Sequence, residues 1–414
     1  MAEIRPFNGI RPRTELARRV AALPYDVYSR EEARVAASKD PLSFLNIDRP
    51  ETQFSEDYDM YAPEVYARAA EMFNKNIEDG IYVTDKKACY YIYELTMNNR
   101  TQTGIVACAA VDDYLNNVIK KHENTRKEKE IDRINHVYTV SAQTGPIFLA
   151  YREDKEIRDV VGKVKQNAPE VSFTSDDNIT HRVWVIDNDE YIAKIHERFS
   201  CISNIYIADG HHRAASAVNV GLKKREEDKL KGTENKNAEY NFFLSVLFPD
   251  SELMIMPYNR VVRDLNGLSE TEFLDKLSKK FEVSKSDVPV SPMKKLEFGM
   301  YLSDKWYLLK VKNGICDMTD PVKSLDVSVL QENVLDEILG IKDPKTDKRI
   351  DFVGGIRGLT ELEKRCKKDM KVAFSMYPTS ISELFTVADA GLLMPPKSTW
   401  FEPKLRSGLF MHKI

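Results

Sequence analysis

The sequence is poor in the features that mark secreted, metal-thiolate or membrane proteins. It has only five cysteines in 414 residues, and no two of them form a Cys-x-x-Cys pair. This spacing argues against a thiolate zinc site or an iron–sulfur cluster, and isolated thiols in odd number are typical of a reducing compartment. The cysteines are Cys89, Cys108, Cys201, Cys316 and Cys366.

Long hydrophobic runs and an excess of one charge are also missing. The longest apolar stretch, Phe242 to Phe248, is interrupted by Ser245 and is far shorter than a membrane span. The first residues contain no apolar signal core. The formal net charge is -4, and basic residues are scattered among acidic ones, so no face is prepared for a nucleic-acid backbone. We therefore expect a cytoplasmic protein with no membrane and no nucleic-acid partner.

What remains is the composition of an ordinary globular protein, with 42% hydrophobic and 30% charged residues. Segments with strand and helix periodicity alternate along the chain, which predicts an α/β fold (an α+β mixed sheet). The polar stretch 222–240 is interpreted as a solvated loop. The pattern changes after Asn266-Gly267, so we expect one domain at residues 1–265 and a C-terminal α/β domain at residues 266–414.

The sharpest motif is Asp209-Gly210-His211-His212-Arg213. A short apolar strand at 204–208 precedes it and a helix begins by Arg213, so the motif is predicted to lie on a strand-to-helix turn. Backbone N–H groups at a helix start favour anions, Arg and His can hold phosphate oxygens, and Asp is a natural magnesium ligand. The alternative is an N-capping Asp followed by surface histidines.

A second motif, Lys121-His122-Glu123-Asn124-Thr125, follows a strand-like segment and leads into a charged helix from Arg126 to Arg133. Thr125 and Glu128 have the spacing of a capping box, which is the structural interpretation. A carboxylate at a strand exit can instead serve as a general base if it faces the turn at 209, and this makes Glu123 the candidate.

Two further segments carry groups that could hold phosphate. Residues 348–358 form a basic strand that ends in a Gly-rich loop, although the loop lacks the Gly-Lys-Ser/Thr ending of a P-loop. The Pro-stiffened loop at 394–408 contains Lys397, Ser398 and Thr399, whose side chains could contact substrate or phosphate.

Together these motifs resemble a known family, the bacterial and archaeal domain of unknown function 1015. The resemblance covers essentially the whole chain. It rests on Ala22-Leu23-Pro24-Tyr25-Asp26-Val27, Lys121 to Thr125, Asp209 to Arg213, and Pro395-Pro396-Lys397-Ser398-Thr399. The turn at 209–213 is also similar to the phosphate-binding turn of the ParB/sulfiredoxin-like superfamily, which includes free-serine kinases.

This resemblance implies a ParB/sulfiredoxin-like nucleotide-binding core within residues 1–265, with residues 266–414 contributing loops to the site. It further implies a cytoplasmic kinase of serine metabolism that makes O-phosphoserine from free L-serine, using ATP or ADP and Mg²⁺. The predicted partners are therefore a nucleotide and a small amino acid, and a homodimer is left open as the oligomeric state.

The resemblance also implies roles for individual residues. Asp209 is the expected magnesium ligand, Glu123 the base for the serine hydroxyl, and His212 a further catalytic residue. The expected phosphate ligands are Gly210, His211, His212, Arg213, Lys397, Ser398 and Thr399. Residues 137–145, with Ser141 and Thr144, are expected to complete the pocket.

Two other functions stay open. One is a regulatory protein that binds nucleotide without turnover, and the other is a metal-dependent phosphoester hydrolase. If Glu123 is not the base, Asp26 and Glu402 are the next carboxylates to consider.

Overall fold

Two separate β-sheets organise the chain in the computed structural model, which describes residues 1–125 and 127–414. Each sheet belongs to its own compact unit. The first unit comprises residues 1–253 and 403–414, and the second comprises residues 254–402. The sequence had placed the boundary near 266. The difference arises because the strand Tyr258–Val262 pairs only with strands of the second unit, at 350–354 and 372–376.

The sheet of the first unit is mixed, as the sequence predicted. Its strands are β1 Ile4–Arg5, β2 Tyr90–Met97, β3 Arg100–Ala110, β4 Ile119–Lys120, β5 Ile147–Tyr151, β6 Val171–Thr174, β7 Thr180–Ile186, β8 Ile205–Asp209 and β9 Phe242–Pro249. Their order is β4-β8-β5-β9-β3-β2-β7-β6, and β1 lies beside β3. The pairs β4–β8 and β5–β9 are parallel, and the other neighbours are antiparallel.

Helices cover this sheet and bury its apolar side chains. Leu149, Ile207 and Leu247 from neighbouring strands form one cluster with Ala214 and Ala217 of the long helix α9. The helices of the first unit are α1 Ala17–Val20, α2 Arg30–Ala37, α3 Leu45–Asp48, α4 Pro63–Glu78, α5 Val111–Leu115, α6 Lys127–Val140, α7 Lys155–Val164, α8 Asp189–Ser200 and α9 His211–Lys231. The predicted start of the charged helix at Arg126 lies outside the described residues.

Two short pairs of strands complete the first unit. Ile10–Pro12 pairs with Tyr82–Thr84, and Ala142–Gln143 pairs with His412–Lys413 near the end of the chain. The second pair anchors residues 403–414 to the first unit.

The predicted solvated loop at 222–240 is wrong in its first half, because α9 continues through this segment to Lys231. Its Lys, Arg and Glu residues favour a helix, and Gly232 ends it in the left-handed conformation with φ 68°. The polar residues 222–231 are therefore the solvated end of a helix.

The second unit has an antiparallel sheet with strands β10 Tyr258–Val262, β11 Phe281–Ser286, β12 Glu297–Leu302, β13 Lys305–Val311, β14 Ile350–Gly354 and β15 Val372–Met376. Their order is β11-β13-β12-β15-β10-β14. A short pair joins Ile255–Met256 to Trp400–Phe401. The helices are α10 Glu270–Lys280, α11 Asp326–Leu330, α12 Gly358–Lys368 and α13 Ile381–Asp389, with a π-helical segment at Gln331–Asp336.

Candidate functional site

The candidate site begins at the turn between β8 and α9. Asp209 ends the strand, Gly210 is the N-cap and His211 is the first helical residue. Gly210 has φ 92°, and a Cβ there would lie 2.9 Å from Nη2 of Arg213, so the turn requires glycine. The predicted strand-to-helix turn is thus present, on a strand that is second from the edge of the sheet.

The segment around Glu123 reaches the same edge of the sheet. Strand β4 runs parallel to β8, with Ile119 opposite Ile205, so both chains leave the sheet at the same end. The backbone N–H of His122 donates to Nε2 of His211 over 3.5 Å. The half-buried Glu123 follows His122 directly. The structure therefore brings the two motifs together, although 89 residues separate the two histidines.

Asp209 lies between two cations. Its Oδ2 is 3.4 Å from Nζ of Lys404 and 3.5 Å from Nη2 of Arg213, and its side chain is 36% exposed. Burial alone would raise the pKa of this carboxyl, but Lys404 and Arg213 outweigh burial and hold the pKa below its usual range. Asp209 is therefore ionised near neutral pH, as a magnesium ligand must be.

The side chain of Arg213 is directed toward the start of β5. Its Nη1 donates to the carbonyl of Pro146 at the start of β5, and its side chain is only 12% exposed. Gly145 lies against it, since a Cβ there would be 3.7 Å from Cδ of Arg213. The guanidinium thus braces the turn in this structure, and its predicted role in phosphate binding stays a prediction.

Two buried histidines face each other behind the turn. The rings of His122 and His211 are 4.5 Å apart and perpendicular. Burial lowers the pKa of His122 to about 4. Burial, together with the neighbouring His122, also lowers the pKa of His211. Nδ1 of His122 is buried without a hydrogen-bond partner in the part of the chain that the structure describes. Both rings are therefore neutral at physiological pH, so neither adds charge for phosphate binding.

A narrow cavity of about 30 Å³ lies beside Arg213, with room for about two water molecules. Thr144, which the sequence placed in the pocket, lines it and donates to Oδ1 of Asp48 over 2.8 Å. Arg133 lies over the ring of Tyr25, with Cζ 4.2 Å from the ring centroid. The other predicted pocket residue, Ser141, does not line this cavity.

The structure adds residues that sequence reasoning missed. Lys404 belongs to the Pro-stiffened loop at 394–408. Its contact with Asp209 could not be inferred from local sequence, because the two residues are 195 positions apart. No sequence motif indicated Asp48 or Arg133. The only sequence feature that could have indicated Arg133 is its helical spacing from His136, since both residues line the cavity.

The remaining predicted ligands belong to the second unit. Lys397 is exposed with φ 60°, and the buried Ser398 donates its hydroxyl to the carbonyl of Pro395 over 2.6 Å. Thr399 follows at intermediate exposure. Their contact with a nucleotide stays a prediction. Glu402, an alternative base, is also in this unit and accepts from Nε1 of Trp400 over 2.9 Å.

Residues 1–125 and 127–414 contain no group of three or more His, Cys, Asp or Glu side chains placed to hold a metal ion. Among the same residues, no helix is long and apolar enough to cross a membrane.

Several solved structures are distantly similar in fold. A free serine kinase in complex with AMP is 14% identical, with 74% of this chain and 91% of that chain covered and a TM-score of 0.34. A conserved hypothetical protein from Pyrococcus furiosus is 15% identical over 74% and 94% of the two chains, with a TM-score of 0.33. SbnI from Staphylococcus aureus with a C-terminal truncation is 11% identical over 74% and 87%, with a TM-score of 0.38.

No curated protein matches the chain. The sequence model described as Protein of unknown function (DUF1015) matches residues 4–328, which is most of the chain. The protein is therefore a member of the DUF1015 family.

Proposed function

We propose that this protein is a phosphotransferase that phosphorylates the hydroxyl of free L-serine, with ATP or ADP as donor and Mg²⁺ as cofactor. The observation that carries the proposal is the charge arrangement at the start of α9. There the helix N-terminus, Lys404 and Arg213 place positive charge around the single carboxylate of Asp209.

The start of α9 suits phosphate oxygens. Its N-cap is Gly210, which has no side chain to cap the first N–H groups of this 21-residue helix. His212 and Arg213 lie in the first turn, and Lys404 supplies an ammonium beside it. These groups can stabilise the charge that spreads over the transferred phosphoryl oxygens.

Magnesium fits this site through one protein ligand. Mg²⁺ commonly takes one or two carboxylates and completes its shell with nucleotide phosphates and water, so a lone ionised carboxylate is sufficient. Asp209 is that carboxylate, because its low pKa keeps it charged. When bound, Mg²⁺ would neutralise charge on the phosphates. Lys404 and Arg213, which both pair with Asp209, would supply the positive charge for the phosphate oxygens.

Glu123 is the proposed general base. It follows His122, whose backbone N–H contacts the first residue of α9, so residue 123 comes at the strand exit next to the start of that helix. In the reaction the serine hydroxyl oxygen forms a bond to the terminal phosphorus, and the bond to the leaving phosphate oxygen breaks. The hydroxyl proton passes to the Glu123 carboxylate.

The test is phosphoryl transfer itself. Wild-type protein is incubated with ATP or ADP, Mg²⁺ and a panel of amino acids, and phosphorus NMR detects new phosphoesters. Glu123→Gln keeps the shape of the side chain but cannot take a proton, so we expect turnover to fall by about 10²–10⁴-fold while nucleotide affinity is retained. Normal turnover in this variant would contradict the assignment and would direct attention to Asp26.

A second candidate is a nucleotide-binding regulator without turnover. One observation favours it. Lys404 and Arg213 already pair with Asp209, and a carboxylate held by two cations is less available to the Mg²⁺ that turnover requires. The two functions separate in calorimetry. Both predict that His212→Ala or Arg213→Ala weakens nucleotide binding by about 1.5–3 kcal/mol, the range for a charged hydrogen bond, but only the kinase yields O-phosphoserine. Unchanged affinity in both variants would contradict both functions.

A further inference from the structure

The second unit contains a buried arginine that no carboxylate neutralises. Arg260 lies on β10 and is 3% exposed. Its guanidinium donates to two backbone carbonyls, those of Tyr258 and, over 3.1 Å, of Lys397. Within residues 1–125 and 127–414, no Asp or Glu lies within ion-pair distance of it. A buried cation held only by neutral carbonyls is costly, because its desolvation is not repaid by an opposite charge.

The segment that Arg260 contacts carries a second cationic residue, Lys397. Lys397 is exposed, and its Nζ is 5.5 Å from the ring centroid of Tyr258, two residues before Arg260 on the same strand. Lys397 has φ 60°, an unusual backbone conformation for lysine, and its carbonyl accepts the hydrogen bond from Nη2 of Arg260. Both cationic side chains thus contact residues of β10, and among the described residues neither forms an ion pair with a carboxylate.

Both phosphate-capable segments of the C-terminal half converge on this strand. The Gly-rich segment enters as β14, which pairs with β10 so that Phe352 is opposite Arg260 and Gly354 is opposite Tyr258. The loop at 395–399 reaches the same strand through the carbonyl of Lys397, which accepts from Arg260. The sequence singled out the two segments separately, and the fold brings them to a common cation.

Aromatic rings pack around Tyr258 and Arg260. Trp400 packs edge-on against Tyr258 with ring centroids 4.9 Å apart, and it lies so close to Gly354 that a Cβ there would be 2.9 Å from its ring. Cζ of Arg260 is 5.4 Å from the ring centroid of Phe352. Gly354 therefore leaves room for the indole of Trp400 and is not shown to wrap a phosphate.

We propose that Arg260 and Lys397 form an anion site for a phosphoryl group on a small molecule. Two cations without a carboxylate match the double negative charge of a phosphate monoester, and a planar guanidinium can donate two parallel hydrogen bonds to its oxygens. Burial lowers the pKa of Arg260 to about 10, and an arriving anion would restore it. The phosphoryl group could belong to a nucleotide or to a phosphorylated amino acid. This inference stands on the second unit alone and does not depend on the kinase proposal.

The test uses the full-length protein and inorganic phosphate, O-phosphoserine and ATP as separate probes in calorimetric titrations. Arg260→Met removes the charge and keeps an unbranched side chain that extends about as far as Nε. We expect the affinity for phosphate to fall by about 10–100-fold, the loss for a charged hydrogen bond. The matched control is Arg263→Met, because Arg263 is an exposed arginine just beyond the end of the same strand, and its affinity should be that of the wild type.

The probes identify the source of the phosphoryl group. A larger loss for ATP on Arg260→Met would indicate a nucleotide, and a larger loss for O-phosphoserine a phosphorylated amino acid. The melting temperature without ligand gives an independent readout. Removing an uncompensated buried charge should leave it unchanged or raise it. A lower melting temperature with unchanged phosphate affinity would make Arg260 a structural brace and would overturn the proposal.

A second variant keeps the proposal testable if Arg260→Met does not fold. Lys397→Ala changes an exposed side chain, so the fold should persist, and the affinity for phosphate should fall several-fold. Unchanged affinity in Lys397→Ala would overturn the proposal, as would wild-type protein that binds none of the three probes. Loss of phosphate binding only in Arg213→Ala would place the phosphate at α9 and would also overturn it.

Discussion

Gly210 offers a sharp test of the turn, because the same helix supplies its own control. Gly210 begins α9 with φ 92° and Gly232 ends it with φ 68°, so both residues are in the left-handed region. An alanine in this region costs about 1–2 kcal/mol at either position. The surroundings differ, since a Cβ at Gly232 would have nothing within 4 Å.

At Gly210 the added methyl group would meet the guanidinium of Arg213, with three of its atoms at 2.9–3.0 Å. The guanidinium must therefore move away from Asp209 and from the carbonyl of Pro146. Losing those two contacts should cost about 1 kcal/mol more than the backbone strain alone. If the turn binds phosphate, nucleotide affinity should also fall about tenfold, which corresponds to about 1.4 kcal/mol.

The measurements are urea unfolding and calorimetric titration with ATP and Mg²⁺ on Gly210→Ala and Gly232→Ala. We expect Gly232→Ala to lose about 1–2 kcal/mol of stability and to bind nucleotide normally. Gly210→Ala should lose more stability and should bind nucleotide more weakly. Equal losses of stability with wild-type nucleotide affinity in both variants would refute the reasoning.

Two further predictions follow from charges in the two units. Burial raises the pKa of Asp326 to about 7, so the native state keeps this carboxyl protonated where the unfolded chain ionises it. Stability of the second unit should therefore fall by about 3 kcal/mol between about pH 5 and about pH 8, and Asp326→Asn should abolish the fall in urea unfolding, whereas the exposed Asp336→Asn should not. Lys404→Met should strengthen Mg²⁺ binding without nucleotide, because it removes one of the two cations that pair with Asp209, yet it should weaken ATP binding. Calorimetry showing the same direction for both ligands would contradict this.

Local sequence was enough to predict the turn, because every determinant of it is close in the chain. An apolar strand, a residue that tolerates positive φ and a run of helix formers follow each other between Ile205 and Ala217. The hairpin between β12 and β13 shows the same locality, since Ser303 and Asp304 adopt φ 48° and 60° as a tight turn requires.

The partners of the turn could not be predicted in the same way. Lys404 reaches Asp209 only because residues 403–414 return to the first unit, where His412 pairs with Gln143. His122 reaches His211 through the parallel pairing of β4 with β8, which no turn or cap enforces. Such contacts depend on strand order, and strand order is set by how the whole sheet buries its apolar faces.

The two candidate sites illustrate opposite ways of presenting positive charge. At the turn, Lys404 and Arg213 are held by Asp209, so a phosphate that binds there would have to replace the carboxylate as their partner, and Mg²⁺ on Asp209 would favour that exchange. Arg260 has carbonyls but no carboxylate among the described residues, so an anion there would supply a charge that the fold lacks. Binding at the turn should therefore depend on magnesium, whereas binding at Arg260 should not.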